Sequence, residues 1–482
     1  MLGTDELKNI VSIGIELTTE KNRNRLFEKM VSSALSIAEC DAGTLYLYED
    51  EVLKSRIMRT ISMGVDRGAD GERIDLPPVT MTEGNVCAYA AIHRELVNIP
   101  DVYASDRFDF SESRKYDELN GYRTGSMLVI PLEDTENQLI GVLQLMNKHN
   151  GHDDPFTEED EFIIRSLGSM MAISLSEKMY LTEVREQMHS FVQAFATAVD
   201  ARTPYNGTHT RKVTVYAARL ADYINTIHAK GQTDEYFDDN RKEQLVMAAM
   251  LHDIGKMVVP LSVMNKATRL GRRLEKVEER FKFIGVCLER DMYKGLISAG
   301  ENDSRQRYLA DSLEFIRKID NAGLMSDDDI ARVEDIASYV YTNDGEDIPY
   351  LTEDEKKCLM IRRGTLTDEE RTVMESHVVM TKRILDQVHF SKRYCNVARF
   401  AGEHHEKLNG EGYPDHLTAD DLATESRMLA VCDVYDALTS KDRPYKKPMS
   451  KEKAFAILED MAEHNEVDGV LVKYLKESLN NT

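Results

Sequence analysis

What this sequence lacks narrows it first: it has no paired cysteines, no long apolar run and no surplus of positive charge. Its cysteines, Cys40, Cys87, Cys287, Cys358, Cys395 and Cys432, lie scattered, and none forms a CxxC pair. That excludes a thiolate zinc site and fits a reduced compartment. No apolar run approaches the roughly eighteen residues of a membrane span. The opening MLGTDELKNI has neither the basic nor the apolar region of a secretory leader. A cytoplasmic chain without a membrane segment is therefore expected. A net charge of −24 excludes a surface that coats a nucleic-acid polymer. A small anionic substrate remains open, where metals and a few basic side chains reverse the field locally. With 482 residues, 42% of them hydrophobic, the chain is long and apolar enough for two or three domains with real cores.

Hydrophobic periodicity divides the first part. LKNIVSIGIELTTE and NRLFEKMVSSALSIAE, the latter at about 24–39, place apolar residues at helical spacing. AGTLYLYEDEVLKSRIM then alternates apolar and polar residues and predicts a strand hairpin. GSMLVIPLEDTENQLIGVLQLMNK (125–148) predicts two more strands around a polar turn, and 83–124 between the pairs is mixed helix and loop. From about 158 a long helix with a sustained apolar stripe begins. This order, with GYRTGSMLVIPL, IGVLQLMNK and PFTEEDEF, resembles a GAF domain over nearly all of 1–180. Asn147, Lys148, Phe156, Asp160 and Glu161 resemble the NK…FxxxDE signature of GAF domains related to cyclic-nucleotide receptors. Those residues either close a lid on a small-ligand pocket or pin the last strand to the long helix. The pinning role is favoured, because a single ion pair at a helix start is usually structural. A cyclic nucleotide is one candidate ligand.

The stripe of the long helix continues past that fold, towards Phe191 and Val192. A helix of this length is core on one side or a dimer seam. The expectation is a connector over 158–195, in a parallel homodimer.

The second part carries histidines and aspartates on apolar helices. His209 opens the helix of RKVTVYAARLADYI. EQLVMAAMLHDIGK ends in His252 and Asp253. LTDEERTVMESHVVMTKRIL, with Thr367 as cap, carries His377. In HHEKLNGEGYP, His404 and His405 leave one backbone in different directions. Both reach one metal cluster only at a helix end or a turn, which Gly410, Gly412 and Pro414 supply. A final apolar helix, RMLAVCDVYDALTS, carries Asp433. Burying this many polar groups is costly unless they pair or bind metal. Histidine and carboxylate without cysteine suit iron, manganese, zinc or nickel.

HDIGK, HHEKLNGEGYP and DVYDALTSKDRPYKKP resemble an HD-GYP domain, a branch of the HD superfamily, over about 185–268 and 364–460. The resemblance implies an all-helical metal-dependent phosphodiesterase acting on cyclic dinucleotides, chiefly cyclic di-GMP. It implies that His209, His252, Asp253 and Asp433 hold one divalent metal. Asp253 would bridge to a second metal held by His377, His404 and His405, iron or manganese first, zinc or nickel as alternatives. Asp253 and Lys256 would be catalytic, with Lys256 at the scissile phosphate. Arg443 and Lys446 would bind phosphate, and Tyr413 would line the groove or stack on a base.

Two departures from the family pattern matter. Tyr205 stands where trinuclear members carry glutamate, so two metals are expected rather than three. Thr208 replaces the glycine before the first histidine, with Gly207 one position earlier. Residues 269–363 also intervene between HDIGK and LTDEE. They read as a helical insertion, because so long a structureless loop is unexpected.

The overall expectation is a multidomain α+β protein. A GAF α/β sandwich with an antiparallel sheet (1–180) precedes an all-α HD-GYP domain (185–482) that contains the insertion. The competing readings are a catalytically silent receptor or interaction module that binds nucleotide or a diguanylate cyclase partner, and a phosphodiesterase for another cyclic dinucleotide such as cyclic GMP-AMP.

Overall fold

The structure is a computed structural model that describes residues 4–20, 22–68, 74, 76–148, 154–202, 208–440 and 448–480. The chain divides into two compact units, Met1–Gln187 and Met188–Thr482.

In the first unit, α1 (Thr4–Thr19) and α2 (Arg23–Ala38) precede the sheet. The Asn22 side chain caps α2 by accepting from the amides of Asn24 and Arg25. β1 (Cys40–Glu49) and β2 (Val52–Thr60) form the expected hairpin. Asp50 and Glu51 turn it with φ of 52° and 61°, the conformation a tight hairpin demands. There follow β3 (Val65–Gly68), β4 (Val79–Thr80), α3 (Val86–His93), β5 (Val97–Ile99), α4 (Ser111–Asn120), β6 (Met127–Glu133) and β7 (Leu139–Lys148). The sheet runs β3-β2-β1-β7-β6-β5, with β4 on β2. Its pairings are antiparallel. The short strands β3, β4 and β5 carry too little pattern to be read from sequence.

Both faces of this sheet are covered, which explains why β6 reads as a nearly continuous apolar run. Leu128, Ile130 and Leu132 pack with α2 residues Met30, Ala34 and Leu35 and with Leu167 and Met171 of α5 (Glu158–Asp200). Met127 and Val129 point the other way, onto Val86, Ala90 and Ala91 of α3.

The second unit is mainly helical: α6 (His209–Ala229), α7 (Asp239–Leu251), a 3₁₀ turn Ile254–Val258 and the short α8 (Leu261–Met264). The stretch expected as an insertion, 269–363, holds α9 (Arg273–Tyr293), α10 (Ala299–Asp320), α11 (Asp327–Ser338), β8 (Val340–Asn343), β9 (Glu346–Pro349) and α12 (Glu353–Leu359). Then come α13 (Asp368–Leu385), α14 (Val397–Gly402), α15 (Thr424–Thr439), α16 (Lys451–Glu463) and α17 (Gly469–Asn480). One core joins Ala217 and Leu220 of α6, Leu245 and Ala248 of α7, Val431 and Cys432 of α15, Phe455 of α16 and Leu471 of α17. The helix of Asp433 is therefore not the last; two amphipathic helices close the unit.

The insertion has a core of its own, built from Val277, Phe281, Ile284, Leu309, Ile316, Val333 and Leu359. It is not purely helical. ASYVY, expected to end a helix, leaves it after Ser338 and enters the hairpin of β8 and β9. Asp344 and Gly345, at φ of 49° and 90°, turn that hairpin. The aspartate–glycine pair after a β-branched and aromatic run was the overlooked signal.

The two ends of the insertion are tied together by Arg269, which is fully buried. Its guanidinium donates to the carbonyls of Ile361 (2.9 Å), Ile319 (2.7 Å) and Ala322. Arg269→Ala would leave these buried carbonyls unpaired, at a cost of about 1–3 kcal/mol each before relaxation. The expected result is a loss of roughly 3 kcal/mol in denaturant-induced unfolding of the second unit. An unchanged midpoint would show that the clamp does not hold the insertion.

Candidate metal centre

Each histidine of the expected set comes from a different structural device. His209 is the first residue of α6, and His252 is the residue that ends α7. His377 lies within α13 and His404 and His405 follow the end of α14, while Asp433 lies on α15. The 3₁₀ turn after Asp253 packs tightly on α13. A Cβ on Gly255 would stand 1.9 Å from the His377 carbonyl oxygen, so only glycine permits the approach. The Thr381 hydroxyl fixes the same junction, donating to the His252 carbonyl at 2.9 Å and accepting from the Gly255 amide at 3.0 Å.

Asp253 stands between two groups of nitrogens. Its Oδ2 lies 3.4 Å from His209 Nε2 and 3.2 Å from His252 Nε2. Its Oδ1 lies 3.5 Å from His377 Nε2 and 4.0 Å from His404 Nε2. Asp433 reaches His209 Nε2 at 3.1 Å through Oδ1 and His405 Nδ1 at 3.9 Å through Oδ2. Within each of two groups, His209/His252/Asp253 and His377/His404/His405, the candidate ligand atoms all lie within 4.8 Å of one another. These clusters can hold metal ions.

The orientation of the rings is set from outside. His252, His377 and His404 each place Nδ1 at 2.7 Å from the carbonyl three residues earlier, at Ala249, Met374 and Ala401. A carbonyl only accepts, so Nδ1 carries the proton and Nε2 presents a lone pair inwards. Asp253 Oδ1, His377 Nε2 and His404 Nε2 are all buried without a hydrogen-bond partner. Acceptors converging unsatisfied in a protein interior are rare and costly, and a cation satisfies them together. The donor set, imidazole nitrogen and carboxylate oxygen without thiolate, fits a divalent transition metal.

Charge follows the same division. Burial pushes His404 well below the ordinary imidazole range, helped by His405 and His252. Burial also lowers His377, and it lowers His405 to about 4. Burial opposes the charge on His209, but Asp253, Asp433 and Asp436 outweigh it and hold that ring well above its usual value. Burial works against ionised Asp253 and Asp433 too. His252 and Lys256 keep Asp253 well below the carboxylate range, and His209 does the same for Asp433. Metal must displace protons from its ligands, and the group around His405 has none to displace at neutral pH. Metal at the His377/His404/His405 group should survive equilibrium dialysis from pH 7 to 6 and be lost towards pH 4, where His405 protonates. A midpoint near 6.5, the free imidazole value, would show exposed histidines instead.

Lys256 meets Asp253 Oδ2 at 2.5 Å. The Tyr413 ring lies 4.9 Å from that of His405. Both line a cleft of about 330 Å³ with Met374, His377, Asp433 and Leu438. Gly410 turns the loop at φ 78°, and a Cβ on Gly412 would stand 2.3 Å from the Lys407 amide nitrogen. Thr208, where the family has glycine, is the N-cap residue of α6. Tyr205, Gly207, Arg443 and Lys446 lie outside the described residues.

Sequence reasoning missed two carboxylates. Asp436, buried on α15, accepts from His209 Nδ1 at 2.7 Å and so turns that ring's Nε2 towards Asp253 and Asp433. Its position three residues after Asp433, on the same helix face, was the available signal. Glu406, also buried, accepts from the amides of Asp415 (2.7 Å) and Leu417 (2.9 Å) and holds the glycine loop against the histidine pair.

In the first unit the signature residues form a junction. Lys148 pairs with Asp160, whose carboxylate also accepts from the Thr157 amide at 2.7 Å. Asn98 donates to Glu161 (2.8 Å) and to the Phe156 carbonyl (2.9 Å). Asn147, at φ 59°, accepts from the Gly125 amide at 2.7 Å, and Phe156 is buried in the core. These contacts tie β7 to the start of α5.

Fold and site together define a GAF-type fold followed by a helical unit with a histidine–aspartate centre. Comparison with known proteins agrees. A GAF domain model matches residues 22–175, and HD domain models match 206–311 and 355–471. The chain thus carries a GAF domain followed by HD domain segments. A 3'3'-cGAMP-specific phosphodiesterase 3 of Vibrio cholerae is 35% identical over 26% of this chain and 26% of its own length. A probable cyclic di-GMP phosphodiesterase of the same organism is 41% identical over 21% and 24%. The cyclic di-GMP phosphodiesterase response regulator RpfG of Xanthomonas campestris is 38% identical over 21% and 26%. The chain spans only about a quarter of the length of these relatives. Among solved structures, a GAF domain from an Acinetobacter phosphoenolpyruvate-protein phosphotransferase is 16% identical. It covers 37% of this chain and 97% of its own, with a TM-score of 0.29.

Proposed function

We propose that the second unit is an HD-GYP phosphodiesterase that hydrolyses cyclic di-GMP to a linear dinucleotide, with onward cleavage to GMP left open. The observation that carries this reading is Asp253, whose two oxygens face two separate histidine groups across unpaired buried acceptors. His209, His252, Asp253 and Asp433 would hold one metal. Asp253, His377, His404 and His405 would hold a second, with iron or manganese favoured. A metal pair of this kind lowers the pKa of water and polarises phosphoryl oxygens. Lys256 supplies a positive charge at the cleft for the scissile phosphate, and its pairing with Asp253 keeps it there. Tyr413 offers a ring face for a base at the cleft mouth. Arg443 and Lys446 are assigned to phosphate from sequence alone.

Residues 1–180 are assigned as the sensor, 158–195 as connector, and 185–482 as the catalytic domain with the 269–363 insertion. Ile173, Val184, Phe191 and Phe195 of α5 are exposed. Their apolar stripe supports a homodimer seam through which a small ligand in the GAF domain, a cyclic nucleotide among the candidates, regulates turnover. No helix among the described residues is long and apolar enough to cross a membrane, which accords with a cytoplasmic signalling enzyme. Similarity to a 3'3'-cGAMP-specific phosphodiesterase supports that substrate as the second reading. A silent receptor for a diguanylate cyclase is a third.

Anaerobic purification, metal analysis and chromatography of cyclic di-GMP reactions with added manganese or iron test the proposal. Linear dinucleotide from protein with about two metals per chain is the expected result. Fully metallated protein that leaves cyclic di-GMP intact but cuts 3'3'-cGAMP would establish the second reading.

A further inference from the structure

A second cavity, of about 740 Å³, opens at the root of the insertion and is separate from the cleft at the histidines. Its size suits a nucleotide. In a chain of net charge −24 its lining is unusual: Lys266, Arg272 and Arg273 face a single carboxylate, Glu370. Lys266 Nζ holds Glu370 at 2.5 Å, whereas Arg273 lies at 3.8 Å from it. Arg272 is exposed and pairs with no carboxylate among the described residues. It is also the N-cap residue of the 21-residue α9, whose first amides, of Arg273 and Leu274, already donate to the carbonyls of Leu270 and Gly271. The exposed Leu261 side chain supplies an apolar wall. Asn265 contributes a buried side-chain oxygen with no hydrogen-bond partner, a place for a ribose hydroxyl or a base amino group.

We infer that this cavity is a binding site for a nucleoside phosphate. Phosphate meets Arg272 and Arg273, the base lies against Leu261, and Asn265 accepts a hydrogen bond. The location gives such a ligand leverage. Glu370 precedes His377 by seven residues on α13, about 10.5 Å along the axis. The opposite wall begins at Leu261, just after the 3₁₀ turn that carries Lys256. A ligand here bears on both segments that flank Asp253.

The test is calorimetric titration of the full, metal-loaded chain with GMP, and with pyrophosphate as a base-free control. Arg272→Glu, at an exposed position, should leave the melting temperature unchanged and weaken GMP binding at least tenfold. Arg272→Ala, the milder variant, should weaken it in the same direction. Asp253→Asn should keep GMP binding at this cavity, which separates the inference from the proposed hydrolysis: it stands or falls whatever the turnover. Undiminished GMP binding in both Arg272 variants would overturn it. Pyrophosphate binding as tightly as GMP would overturn the nucleoside part. GMP binding abolished by Asp253→Asn would place the ligand at the histidines instead.

Discussion

Asp253→Asn should abolish the proposed hydrolysis of cyclic di-GMP, lowering turnover by roughly a thousandfold or more, and should deplete metal from both histidine groups. The substitution keeps the shape of the side chain and removes its charge. Asp253 is the carboxylate that faces two histidines of each group, Oδ2 towards His209 and His252, Oδ1 towards His377 and His404. An amide presents one acceptor and one NH₂ donor, so one group would confront a donor where it needs an anion. Removing one partner from a buried set of charges costs about 3–5 kcal/mol. Expressed as a barrier, that is roughly a thousandfold. The measurements are metal content per chain and product formation under anaerobic conditions, with the melting temperature as a control for folding. Turnover equal to the parent would place the chemistry elsewhere in the molecule. Loss of metal without loss of turnover would separate the centre from the reaction.

The legibility of this centre in sequence had a physical basis. Histidines on apolar helix faces are costly to bury, so each one flagged itself, and each of the metal-set residues named from sequence is found around Asp253. Asp436 was passed over because it resembles any carboxylate near a helix end. Only the fold shows that α6 starts beside it, so that His209 needs an acceptor on its far side. The sheet of the first unit was readable where strands are long and alternate, as in β1, β2, β6 and β7. It was not readable for β4, a strand of two residues whose place is fixed by pairing with β2 rather than by its own pattern. The hairpin of the insertion escaped for another reason. Periodicity continued through ASYVY as if the helix went on, and only the turn chemistry of Asp344 and Gly345 argued otherwise. The cavity at the root of that stretch was invisible, since Lys266 and Arg273 meet Glu370 across a span of chain that no local pattern connects.

Asp436→Asn should weaken metal binding by roughly 10- to 100-fold, the usual consequence of losing the carboxylate behind a ligating histidine. The reason is the tautomer. Asp436 accepts from His209 Nδ1 at 2.7 Å, which leaves Nε2 free to face Asp253 and Asp433. An asparagine can offer NH₂ to Nδ1 instead, and the proton then moves to Nε2, the atom the metal needs. The charge matters as well. Asp436 is one of three carboxylates that hold His209 protonated in the metal-free protein, so its removal lowers the pKa of that ring. A lower pKa by itself would ease metal entry, because there is less proton to displace. The two effects therefore oppose each other, and their pH dependence separates them. If orientation dominates, competition with a chelator shows weaker binding at every pH from 6 to 8. If proton release dominates, the variant binds more tightly than the parent at pH 6 and the difference shrinks towards pH 8. The burial of Asp436 favours orientation, since a buried carboxylate holding a ring in a fixed direction has no water to replace it. Tighter binding at pH 6 would reduce Asp436 to a proton store for His209.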